Sequence, residues 1–143
     1  MYRKILVALD TTPSDQELLP HIAQLAVLVK AELLLLHVSD GWVARNFDQL
    51  NLAESEEMQE DWRYLEDTAA RLRAETGLAI DTRLALGNPP NQILKLAEME
   101  NCDLIALASH GHRLVGDIIH GSTIEAVRHS AKVPIFVVPA AKK

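Results

Sequence analysis

The sequence predicts a three-layer α/β/α fold built on a five-stranded parallel sheet. Three observations carry this. The runs Ile5-Leu6-Val7-Ala8-Leu9, Leu33-Leu34-Leu35-Leu36 and Leu104-Ile105-Ala106-Leu107-Ala108 are apolar without alternation, as strands covered on both faces are. Segments of helical apolar period separate the runs. The connections are short, and parallel neighbours need a crossover helix between them.

The elements follow in order. Strand one ends at Asp10-Thr11-Thr12-Pro13, and Ser14-Asp15-Gln16-Glu17 reads as a capping box, in which a serine and a glutamate three residues on satisfy each other's backbone donors. Leu18, Ile22, Leu25 and Val29 then form the inner face of helix one. Strand two is Glu32–Val38. The polar, acidic stretch from Ser39 to Glu60 is expected to be a loop running into a long helix, whose stripe is Met58, Trp62, Leu65, Ala69 and Leu72 and whose stop is Gly77. Strand three, Ile80-Asp81-Thr82-Arg83-Leu84, alternates and so belongs at a sheet edge. Asn88 is the expected N-cap of helix three and Pro89 its first residue. That helix carries Ile93, Leu94 and Ala97 and ends near Asn101. Strand four, a last helix and strand five at Pro134–Val138 complete the chain.

At 143 residues the chain is read as one domain, residues 1–143, able to bury roughly two-thirds of its unfolded surface. Hydrophobic residues are 48% and aromatics only 4%, so the core is aliphatic. A net charge of −6 gives no general footprint for nucleic acid or for an anionic membrane. No apolar run approaches the roughly 20 residues needed to span a bilayer, and no signal peptide is legible. A soluble cytoplasmic protein is expected. Cys102, the single cysteine, excludes an internal disulfide and reads as a small buried hydrophobe.

Chemistry concentrates in Ala108–Val138. The fourth strand breaks at Ser109-His110-Gly111, Gly121 is expected to open a helix through Ser122-Thr123-Ile124-Glu125, and Pro134 starts the next strand. Free N–H groups and the positive end of the macrodipole meet at a helix N-terminus, and a glycine there lets a phosphate approach. Ser122 and Glu125 also form a capping box. Gly116 reads as a loop hinge. His110, His112 and Arg113 offer positive charge beside a phosphate, Arg113 best, being always charged and able to fork onto oxyanions.

The same segment resembles the C-terminal signature of the universal stress protein family: glycine, two residues, glycine, nine residues, glycine, then serine or threonine. Here it reads Ala108-Ser109-His110-Gly111, then His112 through His120, then Gly121-Ser122. Two glycines and the hydroxyl match in register, and Ala108 replaces the first glycine. The resemblance extends over nearly the whole chain. It implies strand order 3-2-1-4-5 and a homodimer paired through the strand around Ile135–Val138. It also implies an ATP site at the ends of strands one and four, with Mg2+ carried by the nucleotide. In doubly wound sheets ligands bind at such a switch point.

Asp10 would then hold a ribose hydroxyl or a phosphate-bound metal, Val38 would meet adenine with its backbone, and Gly111, Gly121 and Ser122 would hold phosphate. Ala8, Thr11, Thr12, Ala108 and Thr123 complete the set the resemblance implies. Thr11-Thr12 stand where glycine-serine is common in the family. Taken alone, Asp10 equally fits a turn aspartate and Val38 an ordinary strand end. The methyl of Ala108 takes up part of the ligand's space, so weaker binding is expected rather than none.

Neither a GxxxxGK[ST] loop nor GxGxxG is present, and no general-base–nucleophile pair is legible. The sequence therefore points to a dimeric, ATP-binding regulatory or stress-response module with an unknown protein partner rather than to an enzyme. Two alternatives stand beside it: a dimeric interaction protein with a vestigial site, and a slow ATP-hydrolysing relative of the adenine-nucleotide α-hydrolases.

Overall fold

The structure, a computed structural model, describes residues 1–39, 47–109 and 115–139; for residues 47–55, 57 and 115–122 it describes the backbone only. Five strands, β1 (Lys4–Ala8), β2 (Glu32–Ser39), β3 (Ile80–Leu86), β4 (Leu104–Ser109) and β5 (Ile135–Pro139), form one sheet of order β3-β2-β1-β4-β5. Every neighbouring pair is parallel, with Val7 opposite Leu35 on one side and Ala106 on the other. Helices α1 (Asp15–Val29), α2 (Phe47–Thr76), α3 (Pro89–Met99) and α4 (Val115–Ser130) alternate with the strands.

Alternating side chains on each strand feed two separate cores. Ile5, Val7, Leu33, Leu35, Leu104 and Ala106 face α1 and α2, where Leu18, Ile22, Leu65 and Ala69 meet them. Leu6, Leu34, Leu36, Ile105 and Leu107 face Ile93 and Ala97 of α3 and Val127 of α4. That double coverage is why β1, β2 and β4 read as solid apolar runs. β3 lies at the edge as its alternation predicts, with Asp81 exposed and Thr82 buried.

The helix ends agree with the sequence in two places. Asn88 caps α3 by accepting from the Asn91 N–H at 3.1 Å, with Pro89 leading the first turn. Gly77 follows α2 in the left-handed region at φ +75 and donates its N–H to the Arg73 carbonyl. Cys102 is buried, and burial pushes its thiol up to about 11. No helix among the described residues is long and apolar enough to cross a membrane.

The long helix expected to follow in the stretch from Ser39 to Glu60 is present from Phe47 onward. Other expectations are corrected. Ser14 does not cap α1; it sits in a helical conformation, and its hydroxyl bonds the Asp10 carboxylate instead. Gly121 does not open the last helix. α4 starts at Val115, so Gly116 lies in its first turn and Gly121 and Ser122 lie inside it. Val115, Ile118, Ile119, Ile124 and Val127 carry a helical period across both glycines. The roughly 1 kcal/mol that a glycine costs a helix is small beside docking a face whose Val127 is fully buried. The Ser122–Glu125 pair is therefore not an N-terminal capping box.

Candidate functional site

The strand order reverses direction between β1 and β4, and open α/β sheets bind ligands outside the carboxyl ends of the strands at such a point. A cavity of about 190 Å³ lies there. Its floor comes from strand ends: Ala8 at the end of β1 with Leu9 and Asp10 after it, Leu36, His37 and Val38 on β2, and Leu107 and Ala108 on β4. Pro89 and Ile93 of α3 and Thr123 and Ile124 of α4 close it from the side. The lining is mostly aliphatic, with Asp10, His37 and Thr123 as its polar members. That combination suits a flat heterocycle carrying hydroxyls: apolar walls for the ring and one anionic acceptor for the O–H groups.

The loop after β1 is held in a single geometry. Asp10 Oδ1 accepts from the Thr12 N–H at 3.0 Å and the Thr12 hydroxyl at 2.6 Å, and both Asp10 oxygens accept from the Ser14 hydroxyl at 3.1 Å. Thr11 is left-handed at φ 60, and its hydroxyl donates to the Asp10 carbonyl. Behind the loop lies Asp15, only 1% exposed, which accepts from the N–H groups of Asp10 and Thr11. The Tyr64 hydroxyl, from α2, donates to the same carboxylate. Burial pushes Asp15 up to about 6, and burial followed by the Asp15 carboxylate pushes the Tyr64 phenol up.

His37 ties a second strand end to α2. Its Nδ1 lies 2.9 Å from the Leu9 carbonyl, which can only accept, so Nδ1 carries a proton. Its Nε2 lies 3.5 Å from Asp61 of α2, whose carboxyl burial pushes up.

The structure gathers Ala8, Asp10, Val38, Ala108 and Thr123 around this one cavity, and Thr11 and Thr12 in the loop beside it. His110, Gly111, His112 and Arg113 lie outside the described residues, and Gly121 and Ser122 are described only as backbone within α4. Among the described residues no group of three or more His, Cys, Asp or Glu is placed to hold a metal ion. Sequence reasoning missed His37, Pro89 and Ile93 in the wall and Asp15 and Tyr64 behind it. The N-cap at Asn88 was the available signal for Pro89, since it sets α3 to start at the carboxyl edge of the sheet.

A larger cleft of about 430 Å³ lies between α3 and the α4–β5 connection, lined by Leu94, Cys102, Ile105 and Val133 and bordered by the Lys132–Glu98 ion pair. It opens beside the start of β4, away from the strand ends where doubly wound sheets bind ligands, so size does not decide between the two.

The sequence profile of the universal stress protein family matches residues 1–139. The universal stress protein MJ0577 of Methanocaldococcus jannaschii is 27% identical, with 96% of this chain and 95% of that protein covered. The solved structure of hypothetical protein MJ0577 superposes with a TM-score of 0.86 at 28% identity, covering 100% of this chain and 99% of that one. A universal stress protein from Archaeoglobus fulgidus, solved in complex with dAMP, shares the fold at a TM-score of 0.71 and 21% identity, with 96% of this chain and 98% of that one covered. From its sheet order to a profile match over residues 1–139, the chain belongs to the universal stress protein family.

Proposed function

We propose that this protein binds an adenine nucleotide, ATP with Mg2+, in the switch-point cavity, and acts as a dimeric regulatory module rather than as an enzyme. The observation that carries the reading is the placement of Asp10 in the wall of a mostly aliphatic cavity between β1 and β4. Adenine fits the wall formed by Val38, Leu107 and Ile124, and the Asp10 carboxylate is the acceptor a ribose hydroxyl needs. A relative of the same fold holds dAMP, which makes an adenine nucleotide the first ligand class to test. Mg2+ would come with the phosphates, since a hard cation of this kind takes one or two carboxylates and keeps its remaining ligands from phosphate and water.

The test is calorimetric titration of nucleotide-stripped protein with ATP plus magnesium, with AMP and GTP as comparisons. Saturable binding that prefers ATP supports the reading. No binding at millimolar ATP removes it and favours the vestigial-site alternative, whose specific support is Ala108, a residue of the cavity wall. Ala108→Gly is expected to tighten ATP binding by roughly 5-fold, a gain of about 1 kcal/mol, because the backbone can then approach the ligand. An unchanged affinity in the same titration shows that the methyl group does not touch the ligand.

The dimer reading rests on β5. Among the described residues this strand pairs only with β4, and its outward-facing Val137 is 41% exposed beside the partly buried Ile135 and Phe136. An apolar unpaired edge recruits another strand unless it is covered. Val137→Lys is expected to shift the protein toward monomer in sedimentation velocity, and an unaltered dimer places the interface elsewhere.

A further inference from the structure

We propose that Asp15, braced from behind by Tyr64 of α2, is the positioning residue that sets the Asp10 carboxylate at the cavity. The inference rests on the nucleotide-binding reading above.

An aspartate that is 1% exposed is rare without dedicated partners, and here the partners define a task. Asp15 Oδ1 accepts from the Asp10 N–H at 3.1 Å, and Oδ2 accepts from the Thr11 N–H at 2.9 Å. These two amides flank the Asp10 side chain on either side of its Cα. Fixing both fixes the direction in which that side chain leaves the backbone. The same pair of bonds holds Thr11 left-handed at φ 60, a conformation that a residue with a branched Cβ adopts only when its surroundings demand it. Tyr64 donates its hydroxyl to Oδ2 at 2.6 Å, so the series runs from α2 through Tyr64 and Asp15 to Asp10 and the cavity.

The groups facing Asp15 are Asp10 on its own loop and Tyr64 on α2, with Arg71 of α2 acting on Tyr64 from farther along the helix. Burial, and to a lesser degree the Asp10 charge, raises the carboxyl from 3.8 to about 6 against the opposing bonds from Tyr64 and the Asp10 amide. A raised acid favours the protonated form of the folded protein. The stability this contributes is complete below about 3.8 and is lost as pH rises through about 6. Near neutrality the ionised Asp15 therefore costs stability. Asp15 lies behind the wall of the cavity, and its bonds to both amides that flank the Asp10 Cα place it to orient that residue.

The experiment uses the full chain as wild type, Asp15→Asn, Tyr64→Phe, Asp10→Ala and the variant with both Asp10→Ala and Asp15→Asn. ATP–magnesium affinity is measured at pH 8, and thermal midpoints are measured without nucleotide. At pH 8, Asp15→Asn is expected to bind ATP roughly 10-fold more weakly than wild type, since its amide cannot accept from both backbone donors as a carboxylate does. Its thermal midpoint should be no lower, because the buried charge is gone. In an Asp10→Ala background the same substitution should cost no further affinity, because no carboxylate is left to orient. Tyr64→Phe should lose affinity by a smaller factor.

Equal affinities at pH 8 overturn the inference. So does a loss of the same size in the Asp10→Ala background accompanied by a lowered thermal midpoint, which is what a merely structural residue gives. If wild type itself fails to bind ATP, the nucleotide reading falls, and the role of Asp15 is decided by NMR. The amide resonances of Asp10 and Thr11 should shift, and exchange faster with solvent, in Asp15→Asn than in wild type, as amides that lose a carboxylate acceptor do. Resonances unchanged by the substitution overturn the inference independently of any ligand.

Discussion

Asp10→Asn will weaken ATP binding by about 10- to 100-fold while leaving the fold in place. The substitution keeps the shape of the side chain and one acceptor oxygen, so the Thr12 N–H retains a partner within the loop. What it removes is the negative charge. A charge-assisted bond from a hydroxyl is about twice as strong as a neutral one, and a carboxylate can take two neighbouring hydroxyls at once. The loss should therefore appear in affinity for nucleotides with a free 2′,3′-diol and be smaller for a deoxyribose analogue. Calorimetry of the variant with ATP and with 2′-deoxy-ATP makes the comparison. If both ligands bind the variant as tightly as wild type, Asp10 is a loop residue and the ribose lies elsewhere.

The largest expected effect on stability comes from Leu35→Ala. Leu35 is fully buried on β2, pairs with Val7 and Thr82, and faces the core under α1 and α2. It is flanked by paired strands and covered by helices, so the site has little room to collapse, and the loss should be about 3–4 kcal/mol. Set against a total of roughly 5–15 kcal/mol, that is a large share, and it should lower the thermal midpoint by about 10 °C. Urea unfolding with an unchanged slope and a lowered midpoint is the check. A loss below about 1 kcal/mol contradicts the packing described for this face.

The scaffold was legible in the sequence where both faces of an element are buried. Leu33 and Leu35 serve one core while Leu34 and Leu36 serve the other, so nothing polar interrupts the run. The start of α4 was not legible, because Gly116 and Gly121 punctuate a segment whose apolar period continues through both. At Ser14 the motif was read correctly as a pattern and wrongly as a structure. As a cap the Ser14 oxygen would accept from an N–H of the first turn, whereas here the residue is already helical and its hydroxyl donates to the Asp10 carboxylate.

The cavity was half legible. Asp10, Val38 and Ala108 lie at strand ends that the sequence marks, whereas His37, Pro89 and Ile93 converge from elements distant along the chain. Asp15 was hidden for another reason. An acidic residue in the first turn of a helix is ordinary, and only the packing of Tyr64 against it shows that this one is buried.

The sheet order fixes a sequence of events during synthesis. β1 pairs with β2 across a short crossover, so the β1-α1-β2-α2-β3 half can assemble from neighbours as they emerge from the ribosome. The other flank of β1 must wait. Its partner β4 begins at Leu104, and the Asp103 carboxylate that receives the N–H groups of Arg3 and Lys4 emerges about a hundred residues after them. Until then the backbone edge of β1 that faces β4 lacks its strand, which exposes the nascent chain to mispairing. The cavity lies between these two strands, so it is among the last features of the molecule to be completed. A nucleotide that binds there can recognise only a chain whose two halves have already joined.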